Sequence, residues 1–224
     1  MGFISREFGD SAVLLTFSEE INKRTHLEIV SFVKALKKKQ INGIKGIVAA
    51  YTTVTVQYDF LVLSYSDLLN HLGNINFKDD EEPNKKVIEI PVCYDAMFAL
   101  DMEYLCSYSG LSKEEVIKRH TSQEYLVHMI GFTPGFFYLS GLDIKLFCPR
   151  KETPRIKIES GSIGVAGYQT GMYSIDSPGG WQLIGKSPML LFDKKNKESY
   201  FKLRQGDFVR FIAISLDEFK AYEK

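Results

Sequence analysis

The spacing of apolar positions changes several times along the chain, and each change marks a predicted element. Phe3 to Phe8 and Ala12 to Phe17 alternate like two strands turned at Gly9-Asp10. From Glu20 to Lys39 the period lengthens, and Ile21, Leu27, Val30, Val33 and Leu36 form a helical stripe. Ser18 is placed to cap this helix. Glu19 and Glu20 suit its positive end, and Lys37 to Lys39 suit its negative end. His26 is expected at its surface. Ile44 to Tyr58 returns to alternation, with Val54 and Val56 set against Thr53, Thr55 and Gln57, and predicts a long strand or hairpin. Ser64 to Ile75 reads as a shorter helix carrying Leu68, Leu69 and Leu72. Two helices on one face of a small antiparallel sheet make an α+β unit. The charged segment Asn76 to Lys86, broken by Pro83, predicts a border between domains spanning 1–82 and 87–224.

Beyond the border, strands are expected at Val87–Tyr94, Glu124–Ile130 and Phe208–Ile214. Two short helices lie between Asp101 and Arg119, split at Gly110, with Ser112 and Glu115 spaced as a capping box. A last short helix starts at Leu216. The densest glycine region, Gly161 to Asp193, predicts short strands and tight turns, and backbone able to lie close to a ligand or partner. It holds Trp181, the chain's single tryptophan, among Gln169, Thr170, Ser177 and Gln182.

Composition narrows the classes. The 224 residues are 45% hydrophobic and 25% charged, which supports a packed core and excludes a disordered chain. Lys+Arg and Asp+Glu are equal at 28 each, so no basic excess points to nucleic acid. No apolar run reaches the roughly 18 residues of a membrane helix. The N-terminus lacks the basic head and apolar core of a secretion signal. Three widely spaced cysteines without a CxxC suit a reducing cytoplasm.

Candidate chemistry is sparse. No two histidines have metal-site spacing, so no metal is expected. The Leu105–His120 stretch has a helix-turn-helix outline, but Glu114 and Glu115 beside Lys118 and Arg119 remove the basic face a DNA reader needs. GxSxG is absent, and Gly161, Gly164 and Gly167 lack the G-x-G start of a dinucleotide loop. His120 ends a helix, where the dipole favours imidazolium; it is either a titrating group or a structural hydrogen-bonding histidine. Arg150 and Arg155 flank Pro154 in a loop that prolines restrict. They are either solvent-exposed or a presented pair of guanidinium forks for a carboxylate or phosphate. Phe132, Phe136, Phe137 and Tyr138 around Pro134-Gly135 are either a core plug or a pocket wall.

These segments resemble, in unbroken order from about Val87 onward, one known family: His120-Thr121, Gly131-Phe-Thr-Pro-Gly-Phe-Phe-Tyr-Leu-Ser-Gly-Leu142, Pro149-Arg150, Pro154-Arg155, Gly161-Ser-Ile-Gly-Val-Ala-Gly167, Gln169-Thr-Gly171 and Ser177-Pro-Gly-Gly-Trp-Gln-Leu-Ile-Gly185. The family is that of the B subunit of bacterial ATP-dependent 5-oxoprolinase. Its members also carry the names allophanate hydrolase subunit 1 and KipI-type sporulation-kinase inhibitor, and related modules occur in urea carboxylase. Tyr168 departs from the small residue common there. The resemblance implies an α+β N-terminal domain followed by a mainly-β cyclophilin-like barrel domain, in the cytoplasm. It implies a C subunit related to the urea carboxylase carboxyltransferase unit and an A subunit of the LamB/YcsF type. A histidine kinase is a further implied partner; nucleic acid and membrane are not. The implied reaction converts 5-oxoproline, ATP and water to glutamate, ADP and phosphate, with ATP, and Mg beside it, used by the complex and not held tightly by this chain. A lactam is a poor electrophile, so ATP would activate its oxygen before water attacks, a chemistry of positioning and facing charge. On this footing Arg150, Arg155 and His120 would face an anion. Gln169 and Gln182 would orient the amide beside Thr170 and Ser177, and Phe132, Pro134 and Trp181 would wall the pocket. The rival functions are a non-catalytic kinase inhibitor, a prolyl isomerase and a carboxyltransferase component acting on urea or allophanate.

Overall fold

The structure, a computed structural model, describes residues 2–77, 86–192 and 202–222. It divides into two compact units, Met1–Asn84 and Lys85–Lys224. Most of the predicted border segment, and Asp193, lie outside the described residues.

In the first unit, β1 (Ile4–Glu7), β2 (Ala12–Thr16), β3 (Ile44–Ala50) and β4 (Thr53–Tyr58) form an antiparallel sheet ordered β1-β2-β4-β3. Helices α1 (Lys23–Lys39) and α2 (Tyr65–Gly73) complete it. The core joins Val13, Leu15, Val54 and Val56 of the sheet to Ile29, Phe32 and Leu36 of α1 and Leu68 and Leu72 of α2. Two expectations change here. The cap of α1 is Asn22, whose side chain accepts the Thr25 N–H at 2.9 Å; the Ser18 hydroxyl accepts Glu20 N–H in the turn before it. The buried face is Thr25, His26, Ile29, Phe32 and Leu36, so His26 is interior and Ile21 is exposed before the helix begins. Phe32 decides this. Its ring meets Phe3, Phe17 and Phe77 edge-on at 5.2–5.4 Å, and that aromatic payload turns its side of the helix inward.

The second unit is built on a closed barrel. Its strands are β5 (Val87–Cys93), β6 (Glu124–Ile130), β7 (Phe137–Ser140), β9 (Ser162–Ala166), β10 (Gln169–Met172), β12 (Gln182–Lys186) and β13 (Phe208–Ile214), ordered β10-β7-β6-β13-β5-β12-β9. Among the described residues, β13 and β5 pair in parallel and the other pairings are antiparallel. A separate two-stranded antiparallel sheet pairs β8 (Arg155–Ile158) with β11 (Ser177–Gly179), across β9 and β10 in sequence. Helices α3 (Met102–Ser109) and α4 (Lys113–Thr121) follow β5, and α5 (Leu216–Ala221) closes the unit behind a Ser215–Glu218 capping box. Alternating apolar residues fill the barrel: Ile90, Val92, Tyr125, Val127, Leu139, Val165, Ile184, Val209 and Phe211. A second cluster, Phe136, Ile158, Ala166, Tyr173, Trp181 and Leu183, packs on its own. The barrel fits a cyclophilin-like fold. Among the described residues no helix is long and apolar enough to cross a membrane.

Candidate functional site

The segment from Cys148 to Arg155 carries no long element of its own and is fixed by its neighbours. Gly167 N–H donates to Cys148 O at 2.7 Å, Gln182 Nε2 to Pro149 O at 3.0 Å, and Lys151 N–H to Gly180 O at 2.8 Å. Its strongest tie is to Asp101, at the start of α3. Arg155 places both guanidinium nitrogens on the Asp101 carboxylate at 2.8 Å, Lys151 Nζ approaches it at 3.2 Å, and Leu183 N–H donates to it at 2.7 Å. Asp101 is only 5% exposed. Burial works against its charge, but Arg155, the Leu183 amide and Lys151 together outweigh that and hold its carboxyl below the usual range. Nothing in the sequence singles out Asp101; an Asp opening a helix ordinarily reads as a cap, and its side chain makes no cap hydrogen bond here.

Beside this knot lies a cleft of about 450 Å³ lined by Tyr104, Pro149, Arg150, Lys151, Glu152, Thr153 and Gln182. Arg150 is exposed and makes no hydrogen bond or ion pair with the described residues. Its charge reaches two phenols. Burial raises the Tyr138 pKa and Arg150 pulls it back. Burial lifts Tyr173 to about 12 against the pull of the Trp181 amide, Arg150 and Arg155. Gln182 is 2% exposed; because the Pro149 carbonyl takes its Nε2, its Oε1 points elsewhere and meets no hydrogen-bond donor among the described residues.

The structure brings some predicted site residues together and separates others. Arg150 and Gln182 share the cleft. Trp181, 5% exposed, sits behind Gln182 with its ring edge-on to Phe136 at 5.4 Å and near Tyr138 at 5.7 Å. Phe132 is 58% exposed at a left-handed φ of 69°, on a loop with exposed Pro134, and touches Phe136 at 5.6 Å. A bulky residue at such a φ is a genuine backbone outlier. Ser177 is buried on β11, and its hydroxyl has no hydrogen-bond partner among the described residues. Gln169 is half-buried at the start of β10.

Two expectations are corrected. Arg155 is not a presented fork, because Asp101 occupies it. His120 does not meet an anion at the surface: it is wholly buried and stacks on Phe211 at 4.4 Å. Thr170 Oγ1 donates to Gly164 O at 3.0 Å, so it must accept at 2.9 Å from His120 Nε2–H. Nδ1 is therefore the bare nitrogen, and Tyr94 O–H donates to it at 2.7 Å. Burial drives its pKa down to about 3, and the ring is neutral. Thr170 is thus committed inside the barrel as well. The glycines also serve the fold: a Cβ on Gly171 would lie 2.5 Å from Phe137 O, so β10 and β7 approach through it.

Residues 4–202 match the family described as carboxyltransferase domain, subdomain C and D. The chain is 38% identical to the 5-oxoprolinase B subunit of Bacillus subtilis over 97% of its own length and 95% of that protein. It resembles the crystal structure of TTHA0988 with a TM-score of 0.81 and 34% identity over 95% of this chain, and spans 40% of that longer chain. Kluyveromyces lactis urea carboxylase shares the fold, with a TM-score of 0.81 at 18% identity over 98% of this chain and 22% of that one. With its carboxyltransferase-type fold and near full-length match to the Bacillus protein, the chain belongs to the family of 5-oxoprolinase B subunits, which is related to the allophanate hydrolase-like proteins.

Proposed function

We propose that this chain is the B subunit of an ATP-dependent 5-oxoprolinase of several different chains, cleaving 5-oxo-L-proline to L-glutamate as ATP becomes ADP and phosphate, and inactive by itself. The observation that carries this reading is the 38% identity to the Bacillus subtilis 5-oxoprolinase B subunit, which extends over nearly the whole of both chains. The two compact units are its domains, the α+β domain (1–82) and the barrel domain (87–224). The cleft beside Asp101 forms one face of an active site that the C subunit would complete, with the A subunit as the third component. Arg150 gives that face an uncommitted cation for the substrate carboxylate or for charge developing on phosphate, while Lys151 stays on the Asp101 carboxylate at 3.2 Å. Gln182, Trp181, Phe132 and Pro134 give it an amide and an apolar wall; Ser177 and Gln169 are not among the residues that line the cleft. Arg155, His120 and Thr170 act from beneath, by holding the loop and the barrel that carry the cleft. ATP is a substrate of the assembly, and this chain contributes positioning and charge to its use.

The test is co-purification with candidate C and A subunits and measurement of 5-oxoproline-dependent ADP release. Activity with all three proteins, and none with this chain alone, is the expected result. Arg150→Ala is expected to lower kcat/KM by about 10- to 100-fold, with Arg150→Lys between the two because a point charge replaces a fork. A fully assembled complex of the three without 5-oxoproline-dependent turnover overturns the reading. Wild-type kinetics in Arg150→Ala overturn the site.

A further inference from the structure

Gln182 lines the cleft with an amide whose two ends are treated differently. Its Nε2 donates to Pro149 O at 3.0 Å; an oxygen in that place would face another oxygen, so the amide cannot be turned round. Its Oε1 is buried and meets no donor among the described residues. Buried carbonyl oxygens are ordinarily paired, and one left bare is a standing cost unless a ligand supplies the donor. The backbone beside it is fixed as well, because Asp101 accepts the Leu183 N–H at 2.7 Å. Arg150 is the reverse case. It follows Pro149 directly, is exposed, and carries a fork of N–H donors with no acceptor among the described residues. Lys151 is committed to Asp101, and Glu152 is the acid in the lining, which leaves Arg150 to draw an anion. The cleft therefore offers one open acceptor and one open cation, tied to adjacent residues: Pro149 holds the amide and Arg150 brings the charge.

We infer that Gln182 and Arg150 together read the unreacting edge of the substrate, Gln182 Oε1 accepting the lactam N–H and Arg150 taking the carboxylate on the adjacent carbon; the inference rests on the 5-oxoprolinase reading and deepens it. In 5-oxoproline the nitrogen and the carboxylate share one carbon, so an acceptor and a cation on adjoining residues can engage both. Hydrolysis breaks the bond between that nitrogen and the ring carbonyl carbon. The carbonyl carbon gains the oxygen of water and becomes a carboxylate, and the two protons of water pass to the nitrogen, which becomes an ammonium group. The nitrogen and its neighbouring carboxylate keep their places throughout, and the nitrogen gains donors, so Gln182 has a partner before and after the step. The ring carbonyl lies on the other side of the nitrogen from the carboxylate, so its activation falls to groups other than this pair. Because Oε1 is closed to solvent, the donor reaches it as side chains lining the cleft move aside, and Arg150, Glu152 and Thr153 are exposed and able to do so. Gln182 thereby becomes a specificity-determining residue: a ligand without the N–H leaves its oxygen bare.

The experiment uses the assembled three-subunit complex, with 5-oxo-L-proline as substrate and 3-oxocyclopentane-1-carboxylate as probe. The probe keeps the carboxylate and the ring carbonyl, carries CH2 in place of the N–H, and has no C–N bond to hydrolyse. In the wild type its inhibition constant is expected about 100-fold above the KM of the substrate. Gln182→Met is expected to lower kcat/KM for 5-oxoproline about 100-fold and to leave the inhibition constant of the probe within about 2-fold. Arg150→Ala is expected to weaken substrate and probe together, since both carry the carboxylate. A probe that binds the wild type as tightly as the substrate overturns the inference without recourse to any variant, and leaves the 5-oxoprolinase reading standing. Weakening of the probe in step with the substrate in Gln182→Met makes the amide a structural tie to Pro149 and overturns it too. Selectivity that survives in Gln182→Met and disappears in Glu152→Gln makes Glu152 the acceptor, with the same result. Assembled wild-type complex without 5-oxoproline-dependent turnover overturns the reading and the inference with it.

Discussion

Two buried polar centres of the barrel unit, Asp101 and His120, answer burial in opposite ways. His120 has no ionic partner among its ring contacts: a phenol, a threonine hydroxyl and the faces of Phe211 and Tyr125 surround it. It gives up its charge and becomes a fully hydrogen-bonded neutral ring. Asp101 is almost as deeply placed but lies among Arg155, Lys151 and a backbone N–H, and it keeps its charge. Burial sets the cost of ionisation in both, and the neighbours decide whether it is met. The outcome separates roles. A neutral ring can only tie strands together. A retained charge, shared between two cations, can hold a loop at the edge of a cleft and leave the next cation, Arg150, uncommitted.

The comparison breaks most directly at Asp101. Asp101→Asn keeps the shape but removes the charge from beneath a guanidinium. Losing one partner of a buried pair costs about 3–5 kcal/mol, and the lower figure applies because a quarter of the Arg155 side chain stays exposed. Denaturant unfolding checks this, and a loss under 1 kcal/mol would show that the knot is an ornament of the loop. Arg155→Ala is expected to fall in the same range.

The next effect is a pH dependence that the two centres divide between them. The folded pKa of His120, about 3, lies below the ordinary 6.5, so the unfolded chain takes the proton first. Its contribution is fully present above about pH 6.5 and is lost as pH falls towards 3, at up to ~1.4 kcal/mol per pH unit. By pH 5 that amounts to about 2 kcal/mol. Asp101 is lowered from 3.8, so its contribution is intact at pH 5 and fails only as pH falls below about 3.8, through its folded value. Unfolding free energies for wild type and His120→Phe across pH 5–7 separate them: the variant is less stable at pH 7, and its slope with pH is flatter. Equal slopes would place the proton uptake elsewhere.

Much of the fold is legible in the sequence because pattern and turn chemistry agree. Glu124–Ile130, Phe208–Ile214 and the helix from Leu216 match the strands and helix found. The helix expected from Ser64 is found as α2, with Ser64 itself as its cap. Periodicity misplaces the face of α1 because it weighs Leu27, Val30 and Val33 alike, whereas packing of Phe32 against three other rings selects one face. The site is less legible. The spacing of Pro149-Arg150 and Pro154-Arg155 makes the two arginines look equivalent, and only a carboxylate 54 positions away from Arg155 distinguishes them. The Gly161–Asp193 stretch likewise reads as open to a ligand, when much of its glycine closes the barrel on itself. Such assignments depend on pairs distant in sequence, which local pattern does not encode.

The smallest expected effect on stability is the one that bears most on function. Arg150 and Arg155 carry the same group on the same loop, yet one is tied into a buried pair and the other projects beside a cleft without an ion pair among the described residues. Truncating an exposed, unpaired side chain changes stability by less than about 0.5 kcal/mol. Arg150→Ala is therefore expected to unfold like wild type while Arg155→Ala does not, and in the reconstituted complex the order of harm should depend on what is read. For Arg155→Ala, lost activity should track lost structure and recover in part at lower temperature. Arg150→Ala should lose activity at every temperature where the complex is folded. Unfolding curves paired with kcat/KM at two temperatures check this. If Arg150→Ala destabilises the chain as much as Arg155→Ala, the loop is one structural unit and the division between a holding arginine and a presenting one fails.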